Sequence, residues 1–210
     1  AMERSKREIP HYYLGQTMDF SAAQDWLAQR NADLPPASRL MPAALLLKAT
    51  ALALQEVPDL NGHFVDGRFR AGTGINVGWV VALRGGGLVA PAITAVDQLS
   101  LPDLMAALRN LVQRARSGGL RASELSSGTV TVTSLGERGA DRVLGVIYPP
   151  QVAVIGFGRI ASRPWVIDDQ VVARPLVDAS LAADHRVCDG RLGGLLLAAI
   201  DRHLQRPGEL

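Results

Sequence analysis

Residues 100–119 carry a nearly complete specification for one amphipathic helix, and that helix constrains everything around it. Ser100 with Asp103 three positions on makes a capping-box-like start. Leu101, Leu104, Met105, Leu108, Leu111 and Val112 then fall on one face at helical spacing, and Gly118-Gly119 close the segment. A helix with a single apolar stripe has to bury that stripe against a second layer. The second layer is legible as short β-rich segments: Ile75 to Leu83, broken at Gly85, Gly86 and Gly87; Thr129 to Thr133; Val152 to Gly158; and Val171 to Leu181, with Pro175 interrupting it. The stretch Ile9 to Met18 reads as an extended strand entering the fold, and Ser21 or its neighbour as the cap of a short helix through Arg30. Pro42 suits the first turn of a helix from Ala43 to Glu56, and a last helix is expected from Leu192 to Leu204. Strands and helices alternate unevenly, which predicts an α/β two-layer sandwich with helices on one face of a mixed sheet.

Composition narrows the class. A chain of 210 residues can form one domain with one sizeable core, and 48% hydrophobic against 20% charged residues excludes a disordered chain. The net charge of +2 comes from scattered bases, all but Lys6 and Lys48 being arginine, so no nucleic-acid partner is expected. The only cysteine, Cys188, cannot pair within the chain, which suits a reducing compartment, a bacterial cytoplasm or else a mitochondrial matrix. No apolar stretch reads as a membrane span, and Ala1 to Pro10 is too charged for a signal peptide. Residues 1–8 read as a charged arm or tag remnant, Ala1 ahead of Met2 suggesting an expression scar. The histidines at 11, 63, 185 and 203 lack paired ligand spacing, so no metal is expected. Gly156-Phe157-Gly158-Arg159-Ile160-Ala161 imitates a dinucleotide fingerprint, but Pro164 and the lack of a following helix point to a strand end and turn. The chain holds no Gly-x-Ser-x-Gly elbow of the kind an α/β-hydrolase uses.

One segment stands apart: Ser180-Leu181-Ala182-Ala183-Asp184-His185-Arg186-Val187-Cys188-Asp189-Gly190, between a strand and a helix. By itself His-x-x-x-Asp-Gly is weak, and reads more readily as a loop histidine followed by a helix cap. The full string, however, resembles the Asp-His-Arg-Val-x-Asp-Gly signature of the acyltransferase core of E2 components of 2-oxo acid dehydrogenase complexes. The resemblance extends to five further blocks in the family's order: residues 9–14 (Ile-Pro-His-Tyr-Tyr-Leu), 87–91, 115–120, 128–136 and 148–156.

The resemblance implies a chloramphenicol-acetyltransferase-like fold over residues 1–210. It implies acyl transfer between the thiol of dihydrolipoamide and that of coenzyme A, both as substrates. A thiol of pKa about 8.5 is mostly protonated at neutral pH and only the thiolate attacks well, so a neutral imidazole is a suitable base. That role falls on His185. Thr133 matches the position whose hydroxyl supports the oxyanion, with Ser134 as a second candidate. Asp189 is implied to hold the His185 loop, with Gly190 as the turn that permits it, and Asp184 and Arg186 as loop-stabilising charges or direct participants. The family also implies a homotrimer with its site between subunits, built into a cubic or icosahedral core, served by a lipoyl domain and by E1 and E3 components. No lipoyl or peripheral-subunit-binding domain is recognisable, and the stretch from Glu137 to Val143 departs from the family pattern. Ser134-Leu135-Gly136 leans towards acetyl- and branched-chain-type members rather than succinyl-type ones. Two alternatives stay open: a chloramphenicol-acetyltransferase-like O-acetyltransferase, and a structural core without activity.

Overall fold

A computed structural model describes residues 2–136 and 139–210; Ala1, and Glu137 at the head of the divergent stretch, lie outside the described residues. The chain runs α1 (Met2–Glu8), β1 (His11–Asp19), α2 (Ser21–Asn31), α3 (Pro42–Glu56), and then the short strands β2 (Gly62–Val65), β3 (Arg68–Ala71), β4 (Val77–Trp79), β5 (Val81–Ala82), β6 (Leu88–Val89) and β7 (Ala92–Ile93). Next come α4 (Leu101–Ser117), α5 (Ala122–Ser126), β8 (Val130–Ser134), β9 (Ala153–Phe157), β10 (Ala161–Ile167), β11 (Gln170–Asp184) and α6 (Gly190–Leu204). The expected mixed sheet is present in the order β1-β11-β9-β8-β4-β7, with β10 paired to the first half of β11. The β4–β8 and β8–β9 pairs are parallel, whereas β9–β11, β11–β1 and β4–β7 are antiparallel.

Alternation along the strands sorts the layers. Val130 and Val132 of β8, Ala153, Ile155 and Phe157 of β9, and Ala179, Leu181 and Ala183 of β11 join one buried cluster with Leu45 and Leu54 of α3, Leu104 and Leu108 of α4 and Leu196 and Ile200 of α6. The other face carries a smaller cluster of Ile9, Ile147, Val154 and Ala182. Both clusters share β9 and β11, so the centre of the sheet is covered on two sides.

Helix α4 follows its sequence specification closely. Ser100 is the N-cap and accepts from the Asp103 backbone N–H, and Gly118 ends the helix in the left-handed region at φ 77°. Other expectations need correction. Residues 2–8 form a helix rather than a loose arm, because Ser5 is buried and its hydroxyl donates to the Ile147 carbonyl. Helix α2 has no side-chain cap from Ser21; Asp19 instead accepts both the N–H and the hydroxyl of Ser21. Pro175 does not interrupt β11, whose pairing with β10 runs past it to Leu176, where the pairing with β1 begins. The expected strand from Ile75 to Leu83 divides into β4 and β5.

The stretch 36–56, containing α3, is long and apolar enough by composition to span a membrane, with a mean hydropathy of 1.3. It is instead largely buried, and α3 packs against α6 and α4. Lys48 is buried there and donates to the carbonyls of Asp97 (2.6 Å) and Leu99 (2.7 Å). The dinucleotide look-alike is a packing feature. A Cβ on Gly156 would lie 2.8 Å from Val143 atoms, and Gly158 sits directly against the Asp141 carbonyl, so the glycines let residues 141–143 cross the sheet.

Candidate active site

The His185 loop begins where β11 ends. Asp184 is the last residue of the strand and 0% exposed, and its backbone carbonyl accepts the N–H groups of Val187 (3.0 Å) and Cys188 (3.2 Å), forming a tight turn. The His185 N–H donates to the Pro10 carbonyl at 3.0 Å, which pins the turn to the residue before β1. The His185 side chain is left exposed at the strand end. Beneath it the Asp184 carboxylate accepts from the Arg186 backbone N–H (3.0 Å), Nε (2.9 Å) and Nη2 (2.6 Å). The Arg186 guanidinium also lies 4.1 Å from the centre of the Phe64 ring. Asp184 and Arg186 thus form a buried-to-surface ion pair inside the turn, whose hydrogen bonds raise the Arg186 pKa further above its ordinary value.

Of the two partner types expected for Asp189, charged or backbone, the structure shows the backbone one, whereas Gly190 differs from its sequence reading. Asp189 is the N-cap of α6: its carboxylate accepts the Leu192 N–H at 3.1 Å, and no charged group pairs with it among the described residues. Gly190 is the first residue of α6 and has no positive φ, so it is not the turn it was expected to be. The change of direction lies in residues 185–188.

Tyr12 was not singled out by its sequence. Its ring meets that of His185 edge to face, with centroids 5.1 Å apart and planes at 65°. Its hydroxyl donates to the Asp189 carbonyl (2.9 Å) and lies 3.2 Å from the Cys188 sulfur. Burial pushes both the Tyr12 phenol and the Cys188 thiol above their ordinary pKa values, so both stay protonated at neutral pH. The signal was its alternation with Tyr13: Tyr12 and Leu14 face the core while Tyr13 is exposed.

Thr133 and Ser134 are half-buried at the far end of β8, where the Ser134 hydroxyl accepts the Gly136 N–H at 3.3 Å. Within one chain they do not meet His185. Thr133 pairs with Gly156, and Gly156 with Ser180, so Thr133 is level with Ser180 and two strands away from β11. His185 lies five residues beyond Ser180, roughly 16 Å along the strand direction at ~3.3 Å per residue. No single carbonyl group can touch both side chains of one chain.

Residues 1–210 match the family described as 2-oxoacid dehydrogenases acyltransferase (catalytic domain). The chain belongs to that family. It is 32% identical over 205 residues to the dihydrolipoyllysine-residue acetyltransferase component of the pyruvate dehydrogenase complex of Rickettsia bellii, covering 97% of this chain and 49% of the relative. The corresponding Staphylococcus aureus component is 32% identical over 213 residues, covering 99% of this chain and 49% of the relative. The chain therefore spans about half the length of these curated relatives. Among solved structures, a probable dihydrolipoamide acetyltransferase from Listeria monocytogenes superposes with a TM-score of 0.90 at 31% identity, covering 98% of this chain and 88% of that one. A chloramphenicol acetyltransferase at 12% identity, covering 96% and 94%, shares the fold with a TM-score of 0.59. The acyltransferase-family reading and the predicted two-layer fold both stand.

Proposed function

We propose that this acyltransferase-family domain moves an acetyl group between dihydrolipoamide, carried on a lipoyl domain, and coenzyme A, with His185 as general base. The observation that carries the assignment of roles is a spacing. In the dihydrolipoamide acetyltransferase of Azotobacter vinelandii, a serine, a histidine and an asparagine have been investigated for their part in the catalytic mechanism; it superposes with a TM-score of 0.90 at 28% identity, covering 97% of this chain and 85% of that one. That serine precedes the histidine by 52 positions and the asparagine follows it by four, the intervals that place Thr133 and Asp189 about His185.

The chemistry follows from the residue types. His185, exposed on a pinned turn, takes the proton from the attacking thiol, and the thiolate adds to the thioester carbonyl. The carbonyl oxygen gains negative charge and accepts a hydrogen bond from the Thr133 hydroxyl, which is worth most where water is excluded. Collapse expels the second thiolate, which recovers the proton from His185. Asp189 keeps α6 in register beneath the loop and is assigned no proton transfer.

His185 and Thr133 of one chain being too far apart, the carbonyl lies between two copies, His185 from one and Thr133 from the other. A homotrimer satisfies this with three equivalent sites. Support for a larger assembly comes from the cubic core of the pyruvate dehydrogenase multienzyme complex, which superposes with a TM-score of 0.90 at 29% identity, covering 97% of this chain and 85% of that one. E1 and E3 components as partners and a bacterial cytoplasmic location complete the proposal. Acetyl is preferred over branched-chain acyl because the curated relatives named above are acetyltransferase components of pyruvate dehydrogenase complexes.

The test is acyl transfer from acetyl-, isobutyryl- and succinyl-coenzyme A to dihydrolipoamide. Acetyl should give the highest kcat/KM, and His185→Ala should lower kcat by about 10²–10⁴-fold with the fold retained. Transfer to chloramphenicol instead, or no transfer with any donor, overturns the reading.

A further inference from the structure

Tyr12 touches the His185 loop at both of its ends. Its ring lies against the imidazole of His185 at the start of the turn; its hydroxyl donates to the carbonyl of Asp189 at the finish, where α6 begins. That hydroxyl has one proton, so donation to Asp189 leaves its oxygen to accept from the Cys188 thiol 3.2 Å away. The thiol's other acceptor, the Asp184 carbonyl, is longer at 3.8 Å. Tyr12 itself cannot drift. It sits within β1, whose register with β11 is continuous from His11 opposite Asp184 to Asp19 opposite Leu176. Gly193 of α6 leaves room for it: a Cβ there would lie 2.9 Å from the Tyr12 hydroxyl and 2.8 Å from Leu14 and Leu181.

We infer that Tyr12 is the positioning residue of the proposed reaction, a strut from β1 that holds the His185 imidazole in its working orientation. The His185 backbone is fixed by Pro10 and the turn by Asp184, but neither contact reaches the ring. The Tyr12 ring limits imidazole rotation, and the Tyr12 hydroxyl fixes the Tyr12 ring against the loop. Misplacing a catalytic group by about 1 Å costs up to about 10²-fold in rate, so loss of the strut shows in kcat rather than in KM.

This inference rests on the acyl-transfer reading, and the experiment separates the two. Tyr12→Phe keeps the ring and loses the hydroxyl; Tyr12→Leu loses both; Tyr13→Phe, on the exposed face of β1, is the control. In the assembled protein, kcat and KM for acetyl-coenzyme A and dihydrolipoamide are measured with the pH profile of kcat/KM, together with the ring ¹H–¹³C resonances of His185. Expected are a kcat loss of about threefold to tenfold in Tyr12→Phe and about 10²-fold in Tyr12→Leu, with KM unchanged and the His185 ring signals shifted or broadened. Tyr13→Phe should match the wild type. Unaltered kcat and unaltered His185 ring signals in Tyr12→Phe overturn the inference, as does an effect confined to thermal stability. If the wild-type protein transfers no acyl group, the reaction is wrong, yet the ring signals still decide whether Tyr12 orients His185.

Discussion

Replacing Asp184 with asparagine tests how the site is held, because the substitution keeps the shape and removes only the charge. The carboxylate is 0% exposed and its oxygens accept three N–H groups of Arg186, two of them from the guanidinium. An asparagine oxygen in the place of Oδ1 can keep the backbone N–H and Nε, but its NH₂ group then faces the Nη2 of a guanidinium that only donates. Removing one partner of a buried ion pair costs about 3–5 kcal/mol. Here the Arg186 side chain is 35% exposed, so water replaces part of what it loses and the lower end applies, about 3 kcal/mol. For a domain of this size that corresponds to a fall in Tm of roughly 6–12 °C, compared at equal protomer concentration. Arg186→Leu strands the buried carboxylate and should cost more, about 4 kcal/mol. The informative assay is the double-mutant cycle of Asp184→Asn and Arg186→Leu by urea unfolding. A coupling of at least about 1.5 kcal/mol is expected, and single effects that add to within about 0.5 kcal/mol would refute the buried-pair reasoning.

Three further outcomes follow from the geometry. Gly118→Ala should cost about 1 kcal/mol by urea unfolding, since φ is 77° and no atom lies within 4 Å of the added methyl, so backbone strain is the whole effect. Hydrogen bonds from Arg114 hold the Glu124 carboxyl at about 2, below its ordinary 4.5, so its stabilisation is complete above pH 4.5 and lost as pH falls towards 2. Glu124→Gln should therefore lower stability at pH 6 and flatten the acid limb of the Tm–pH curve between those values. Thr133→Ala should lower kcat about 10²-fold with little change in stability, read from acetyl-transfer rates and thermal unfolding together.

Much of the fold was legible because local chemistry and tertiary packing agree. In α4 the Ser100 cap, the apolar stripe and the left-handed Gly118 all specify the same 17 residues, and the structure keeps each of them. The β10–β11 hairpin was missed although Asp168 and Asp169 both adopt positive φ, as a tight two-residue hairpin turn requires. Pro164 and Pro175 obscured it, and no periodicity shows that strands tolerate a proline where no ladder N–H is needed. The His185 motif was readable as a string. Its supports were not, since Pro10, Tyr12 and Phe64 are brought to it only by the β1–β11 register and the packing of Phe64 on Arg186. The 2–8 helix was hidden for a similar reason: a charged heptapeptide gives no sign that Ser5 will be buried against Ile147.

The central claim is a site shared between copies, His185 from one and Thr133 from its neighbour, and mixed assembly measures it directly. Protein carrying His185→Ala and protein carrying Thr133→Ala are each nearly inactive; they are combined in equal amounts, dissociated and reassembled. Random mixing pairs an intact His185 with an intact Thr133 at one interface in four, so acetyl transfer should recover to about a quarter of the wild-type rate. A mixture no more active than its two components would contradict the account, placing both residues in service within one chain.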